Sequence, residues 1–183
     1  GHYGNIDLNY PLKNPLFRDN ILRWLKIICH NCGELYVQNK VAGGRNNILS
    51  EYVKATQNDK IVECATCKSP KFFVNKDEKE PYIYFKEKTK NDVNRKIMYN
   101  FEIQNILNKI SFDTCKKLMV PFQCHPTKLI LNNILVPPNT IRPEIKIGGQ
   151  KTSSNDLTVL IKEIVTYNNN IGVKIVDESQ ITK

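Results

Sequence analysis

The residues best suited to chemistry lie between Cys29 and Cys67. Two identical pairs, Cys29-His30-Asn31-Cys32 and Cys64-Ala65-Thr66-Cys67, are separated by about thirty residues. A C-x-x-C turn sets two thiolates on one side of a tight bend. Two such turns can close a sulfur tetrahedron around Zn²⁺ at roughly 2.3 Å per bond. Each pair runs into a turn signal, Gly33 after the first and Lys68-Ser69-Pro70 after the second. Disulfides fit less well, because the two cysteines of a C-x-x-C are too close to bridge comfortably in most folds. The basic, Lys/Asn-rich residues also give no hint of an oxidising compartment. A redox centre needs one such pair at a strand–helix junction, whereas this chain has two. Four cysteines leave no open ligand position for water, so the predicted zinc is structural rather than catalytic.

Two further groups could act on a ligand. Cys115, Cys124 and His125 could form a second metal site, although unpaired cysteines more often serve as small buried hydrophobes. Tyr82, Tyr84 and Phe85 lie near basic residues and could stack on nucleotides; burial in a strand is the alternative. With 183 residues, 27 Lys+Arg against 18 Asp+Glu and a net charge of +9, the chain can bury a core and favours an acidic partner, nucleic acid first. No apolar run reaches the ~18 residues of a membrane span. The opening Gly1-His2-Tyr3-Gly4 suggests an interior piece of a longer protein, or a processed product.

The elements that must position the cysteines follow from periodicity. Residues 11–28 read as a helix, with Asn14 as cap, Pro15 at its first position, and Phe17, Ile21, Trp24, Leu25 and Ile28 on one stripe. It feeds directly into Cys29. Arg18, Arg23 and Lys26 fall mostly off that stripe, facing solvent or phosphates. A strand at 34–37, a turn at 42–44 and a helix at 47–56 follow. The arms 61–63 and 71–75 enter and leave the second knuckle, which makes a zinc-ribbon-like module. A strand at 82–86 leads to an exposed polar turn or hairpin tip over 86–96. Ile103, Ile106, Leu107 and Ile110 mark a helix over 100–109, and Ser111 caps another that carries Cys115, Leu118 and Met119. Pro137, Pro138 and Pro143 make an extended, stiff strut that carries Arg142. Ser154 or Asn155 caps a last helix with Leu157, Leu160, Ile161, Ile164 and Val165 on its apolar face; Asn168-Asn169-Asn170 and Gly172 are expected to end it. The fold class is α+β, a zinc-stapled module of short strands and helices flanked by helical segments. Three parts are expected, at 1–28, 29–98 and 99–183.

Gly1-His2-Tyr3-Gly4-Asn5-Ile6-Asp7-Leu8, the paired cysteines, and Val136-Pro137-Pro138 through Ile141-Arg142-Pro143 occur together in this order, with Asn155-Asp156-Leu157-Thr158 opening a helix. In this combination, over nearly the whole chain, the sequence resembles the N-terminal clamp region of the largest subunit of multisubunit DNA-directed RNA polymerases. Its Asn/Lys/Ile-rich composition and short loops look closest to the enzymes of large DNA viruses or another divergent lineage. The resemblance implies that Cys29, Cys32, Cys64 and Cys67 hold the clamp-head zinc, that 1–28 and 99–183 belong to the clamp core, and that 155–170 is the first clamp helix. In that family the early histidine completes a second zinc site with three upstream cysteines. Those partners lie outside this chain, so His2 resembles an orphaned ligand. Arg142, Lys146 and Lys151 are the candidate nucleic-acid contacts near the DNA–RNA hybrid. The resemblance implies the second-largest subunit as chief partner, transcription factors as further ones, and an intracellular setting (virion, host cytoplasm or viral factory if the source is viral). The family's Asp-rich Mg²⁺ motif has no match here, so Mg²⁺ and nucleotidyl transfer would belong to the full polymerase. Around Gln123-Cys124-His125-Pro126-Thr127-Lys128 the sequence departs from the family, and contacts there are not carried over. Two other readings are a stand-alone zinc-ribbon nucleic-acid-binding protein and a docking module for transcription factors. A redox enzyme is remote.

Overall fold

A computed structural model describes residues 2–39, 41, 48–57, 61–76, 83–87, 95–147 and 151–181. In chain order the elements are β1 (Gly4–Lys13), α1 (Arg18–Ile27), α2 (Ile48–Thr56), β2 (Phe72–Lys76), β3 (Ile83–Glu87), β4 (Arg95–Met98), α3 (Asn100–Asn108), α4 (Phe112–Lys117), β5 (Ile130–Val136), β6 (Ile145–Ile147), β7 (Lys151–Ser153) and α5 (Asp156–Ile181). This is an α+β fold. No helix among the described residues is long and apolar enough to cross a membrane. The chain packs as two units, Lys13–Ile130 and Gly1–Leu12 with Leu131–Lys183.

The unit Lys13–Ile130 holds the core. The Asn14 side chain accepts the Leu16 N–H and starts a 3-10 turn at Pro15–Phe17, which leads into α1. Residues 11–13 are therefore strand and not helix, because β1 continues in its pairing with β5 up to the cap. Ile21, Leu22, Trp24, Leu25 and Ile27 of α1 are buried, close to the expected stripe, but Phe17 sits outside α1 and is exposed. They pack with Ile48 and Tyr52 of α2, and with Ile103, Ile106 and Leu107 of α3. The antiparallel sheet β2–β3–β4 adds Val74, Ile83 and Met98 to the same core. The Glu102 carboxylate accepts the Tyr99 N–H at the start of α3, and Ser111 Oγ accepts the Thr114 N–H at the start of α4. The start of α4 is the one Ser111 predicts, and α3 begins at Asn100 as its apolar spacing predicts.

Two expectations for this unit change. The segment 34–37 makes only one bridge, Ile28 to Leu35, because Ile28 extends one residue past α1 and offers no longer edge. The expected tip over 86–96 instead begins in β3 and ends in β4, since hydrophobic Ile97 and Met98 complete a third strand; residues 88–94 lie outside the described residues. So do the turn at 42–44 and Tyr82. Pro126–Leu129 is a 3-10 turn, with Pro126 at its first position and His125 Nδ1 accepting the Thr127 N–H.

In the other unit β1 pairs with β5, and β6 pairs with β7 as a short antiparallel hairpin. Between β5 and β6 the prolines give a turn rather than a straight strut, closed by Ile141 N–H to Pro138 O and Arg142 N–H to Asn139 O. Asn155 Oδ1 accepts the Leu157 N–H and caps α5. This helix does not end at 168–172 but runs on to Ile181. Asn and Gly inside a helix each cost under about 1 kcal/mol, too little to stop it, and a glycine stop also needs a left-handed residue. Of the expected apolar face, Ile161 and Ile164 are half-buried, while Leu157, Leu160 and Val165 are exposed.

Asn168, expected to end the helix, instead ties α5 to β1. Its Oδ1 accepts the Asn9 N–H at 2.8 Å, its Nδ2 donates to Asp7 O at 2.8 Å, and its own carbonyl accepts from Asn9 Nδ2 at 2.9 Å. Asn168→Ala removes the two side-chain bonds and is expected to destabilise this unit by about 1–2 kcal/mol. Faster hydrogen exchange at the Asn9 amide would register it; unchanged exchange there would refute the tie.

Candidate metal centre

The two C-x-x-C segments fold the same way. After each second cysteine the chain turns left-handed, at Gly33 (φ 78°) and at Lys68 (φ 59°). The Gly33 N–H returns to Cys29 O at 2.9 Å and the Lys68 N–H to Cys64 O at 3.0 Å. Cys29 N–H reaches Glu34 O and Cys64 N–H reaches Ser69 O, at 2.7 and 2.8 Å. The bridges Ile28–Leu35 and Glu63–Pro70 close the two arms. Asn31 Nδ2 donates to Ser69 Oγ at 3.0 Å and joins one knuckle to the other.

This arrangement converges four sulfurs. Cys29 and Cys67 Sγ are 3.5 Å apart, Cys32 and Cys64 Sγ 3.6 Å, and all four lie within 4.8 Å of one another. A tetrahedron with bonds of about 2.3 Å needs sulfurs about 3.8 Å apart, so the set can hold a metal ion with little movement. All four are free thiols, with Cys29 and Cys64 buried. No other cluster of metal-binding groups occurs among the described residues.

Electrostatics separate the four sulfurs. Burial pushes Cys29 up, and pushes Cys32 up to about 12. Hydrogen bonding from Ser69, whose Oγ lies 3.3 Å from Cys67 Sγ, pulls Cys67 down to about 5. At pH 7 without metal, Cys29 and Cys32 are therefore protonated and Cys67 is a thiolate. Metal binding must expel at least these two protons, so affinity rises with pH. Between pH 6 and 8 it is expected to rise by roughly a hundredfold or more per unit, tenfold for each proton released. Chelator competition at pH 6, 7 and 8 would measure this, and a flat profile would contradict it.

Tyr36 is 4 % exposed and packs against Cys29 and Cys64. Burial, and next the Cys29 charge, push its phenol above the ordinary tyrosine range. His30 lies inside the first pair but faces away from the sulfurs: its Nε2 is 3.1 Å from Leu25 O and its ring stacks on Phe72 at 5.5 Å. Burial lowers its pKa, so Nε2–H donates to the carbonyl from a neutral ring.

The other expected residues do not converge. Cys115 is buried in the core and Cys124 is exposed. His125 uses both ring nitrogens, Nε2 at 3.1 Å from Ile110 O and Nδ1 at 2.9 Å from Thr127 Oγ1. The second metal site is therefore not formed, because Cys115 is packed into the core and His125 spends both ring nitrogens on other partners. His2 is exposed and belongs to no cluster among the described residues. Phe85 packs edge-on to Phe72 at 5.4 Å, a strand contact of the kind weighed against base stacking. Arg142 is half-buried; its Nε donates to Pro137 O at 3.0 Å and its Nη1 to Thr158 Oγ1 at 3.2 Å, which pins the turn to the start of α5. Lys146 and Lys151 lie on β6 and β7, and their side chains fall outside the described residues. Sequence reasoning passed over Tyr36, Ser69 and Lys71. Only proximity to the second pair marks Ser69 and Lys71, and nothing local marks Tyr36.

Residues 1–181 match the family described as RNA polymerase Rpb1, domain 1. The chain is 33% identical over 172 residues to a DNA-directed RNA polymerase RPB1 homolog of African swine fever virus (isolate Pig/Kenya/KEN-50/1950), covering 92% of this chain and 12% of the relative. It is 28% identical over 192 residues to the DNA-directed RNA polymerase III subunit RPC1 of Plasmodium falciparum, covering 93% of this chain and 8% of that subunit. Against the DNA-directed RNA polymerase subunit Rpo1N of Methanococcus vannielii it is 26% identical over 184 residues, covering 92% and 20%.

Proposed function

Because this chain belongs to the RNA polymerase Rpb1 domain 1 family, we propose that it is the clamp portion of a DNA-directed RNA polymerase largest subunit, closing over template DNA and the DNA–RNA hybrid. The observation that carries this reading is the match over residues 1–181 together with the four converging thiols. Cys29, Cys32, Cys64 and Cys67 hold zinc, residues 29–98 form the clamp head, and 1–28 and 99–183 contribute clamp core. When bound, zinc converts its binding free energy into folding free energy of the two knuckles. The knuckles then join the core of Lys13–Ile130, and that unit moves as one body. Exposed lysines and arginines hold phosphates without reading bases. Arg142, Lys146 and Lys151 are assigned to this contact; Arg142 also fixes the turn that presents it. Nucleotidyl transfer and Mg²⁺ belong to the whole polymerase, and the second-largest subunit is the chief partner. The chain spans only 8–20% of the relatives it matches, so these roles are those of an assembly.

Fluorescence anisotropy of a labelled DNA–RNA hybrid against the chain at rising salt tests this. With three or more phosphates neutralised, log affinity should fall against log salt with a slope of about −3 or steeper. A salt-insensitive or undetectable association would overturn it. A second reading, a docking platform for other subunits or factors, draws on the exposed Leu157, Leu160 and Val165 of α5. It predicts no hybrid affinity in the same titration.

A further inference from the structure

Lys71 has a place in the metal centre that its own identity does not announce. It is 5 % exposed, a burial lysine tolerates only with compensation. Its backbone N–H donates to Val62 O at 2.9 Å, which anchors it to the arm that carries Cys64. Its ammonium donates to Thr56 O and lies over two rings, 5.0 Å from the Phe73 centroid and 6.0 Å from that of Tyr36. Tyr36 in turn packs on Cys29 and Cys64. The order is cation, ring, sulfur, with the ring and both sulfurs out of solvent.

Four thiolates around a dication carry a net charge of −2. Cys29 is 1 % exposed and Cys64 is fully buried, so water does little to stabilise their share of that excess, while Cys32 and Cys67 stay half-buried. A fixed cation one ring away acts at low effective dielectric and is hardly screened by salt. We propose that Lys71 is a positioning residue for the metal centre, supplying the buried counter-charge that lets four thiolates hold a dication. The role is electrostatic, and the hydrogen bond to Thr56 serves to aim the charge. This inference rests on zinc binding at the four cysteines.

The test is zinc competition against a colorimetric chelator on the full chain at pH 7, with cobalt titration to report thiolate coordination. Lys71→Gln keeps a donor for the Thr56 carbonyl and loses the charge; Lys71→Arg keeps the charge. Lys71→Gln should bind zinc at least about tenfold more weakly, with the pH midpoint of metal release moved upward, while Lys71→Arg stays within about threefold of the parent. Equal weakening in both variants, or an unchanged Lys71→Gln, would mean that packing alone is at work and would overturn the proposal. If Lys71→Gln fails to fold at saturating zinc while Lys71→Arg folds, charge is supported; failure of both overturns it. A parent chain that binds no zinc removes the metal centre and this inference together. A parent that binds zinc beside an indifferent Lys71→Gln removes this inference alone.

Discussion

Replacing Cys64 by serine is expected to take the chain from one zinc to none and to unfold both knuckles. Cys64 is fully buried, and its sulfur lies 3.6 Å from that of Cys32. Structural zinc in small modules contributes on the order of 10–16 kcal/mol of apparent binding free energy, most of which appears as folding. Among the described residues the buried cluster behind the sulfurs is Cys29, Tyr36 and Cys64 with Ile61 packed against it, too little apolar surface to hold two turns by itself. The larger core around Ile21, Leu25, Ile103 and Leu107 forms its own cluster and meets the first knuckle at Ile28 and Leu35. Elemental analysis should read about one zinc per parent chain and none in the variant. Hydrogen exchange should rise over 29–35 and 63–70 while α1 and α3 stay protected. Full zinc retention in Cys64→Ser, or disulfides in the parent, would contradict the centre described here.

The second large effect is at Gly33. A β-carbon there would lie 2.3 Å from Lys109 O and 2.5 Å from Lys109 C, both backbone atoms, and φ is 78°. Left-handed strain of about 1–2 kcal/mol adds to overpacking of about 1–3 kcal/mol, so Gly33→Ala should cost about 2–5 kcal/mol. Gly33→Asn separates the two causes. Asparagine accepts the left-handed conformation, yet its Cβ meets the same carbonyl, so it should not rescue. The matching position in the second knuckle behaves oppositely. Lys68 has φ 59° and a side chain 71% exposed, and Lys68→Gly should gain up to about 1 kcal/mol. Urea midpoints of the zinc-loaded variants at unchanged slope would measure all three. Full stability in Gly33→Asn would assign the whole effect to backbone strain.

The legible parts of this chain were those with local causes. The start of α4 follows from Ser111, whose side chain accepts a backbone N–H only three residues away, and α3 from the spacing of Ile103, Ile106, Leu107 and Ile110. The buried face of α1 follows from 3.6-residue periodicity, and the cysteine pairs from the geometry of a tight turn. What stayed hidden depends on partners far along the chain. β1 alternates Ile6, Leu8 and Tyr10 toward one side, a weak pattern until β5, more than a hundred residues later, supplies its neighbour. Asn168 reads as a helix stop, yet its amide is used by Asp7 and Asn9 on β1, and α5 continues through it. His125 beside Cys124 reads as a ligand pair until Ile110 O and Thr127 Oγ1 are seen to occupy both ring nitrogens.

From the sequence by itself came the four cysteines that converge, the α+β class and the family, because spacing, capping and motif order are properties of neighbouring residues. Only the tertiary structure decided which atoms surround the sulfurs. Tyr36 reaches the centre from the segment between the two pairs, Lys71 from just after the second and Lys109 from the end of α3; beyond the closeness of Lys71 to Cys67, nothing in their immediate neighbours records that approach. Burial, and with it the direction in which each thiol and the Tyr36 phenol are shifted, is set by how those segments pack.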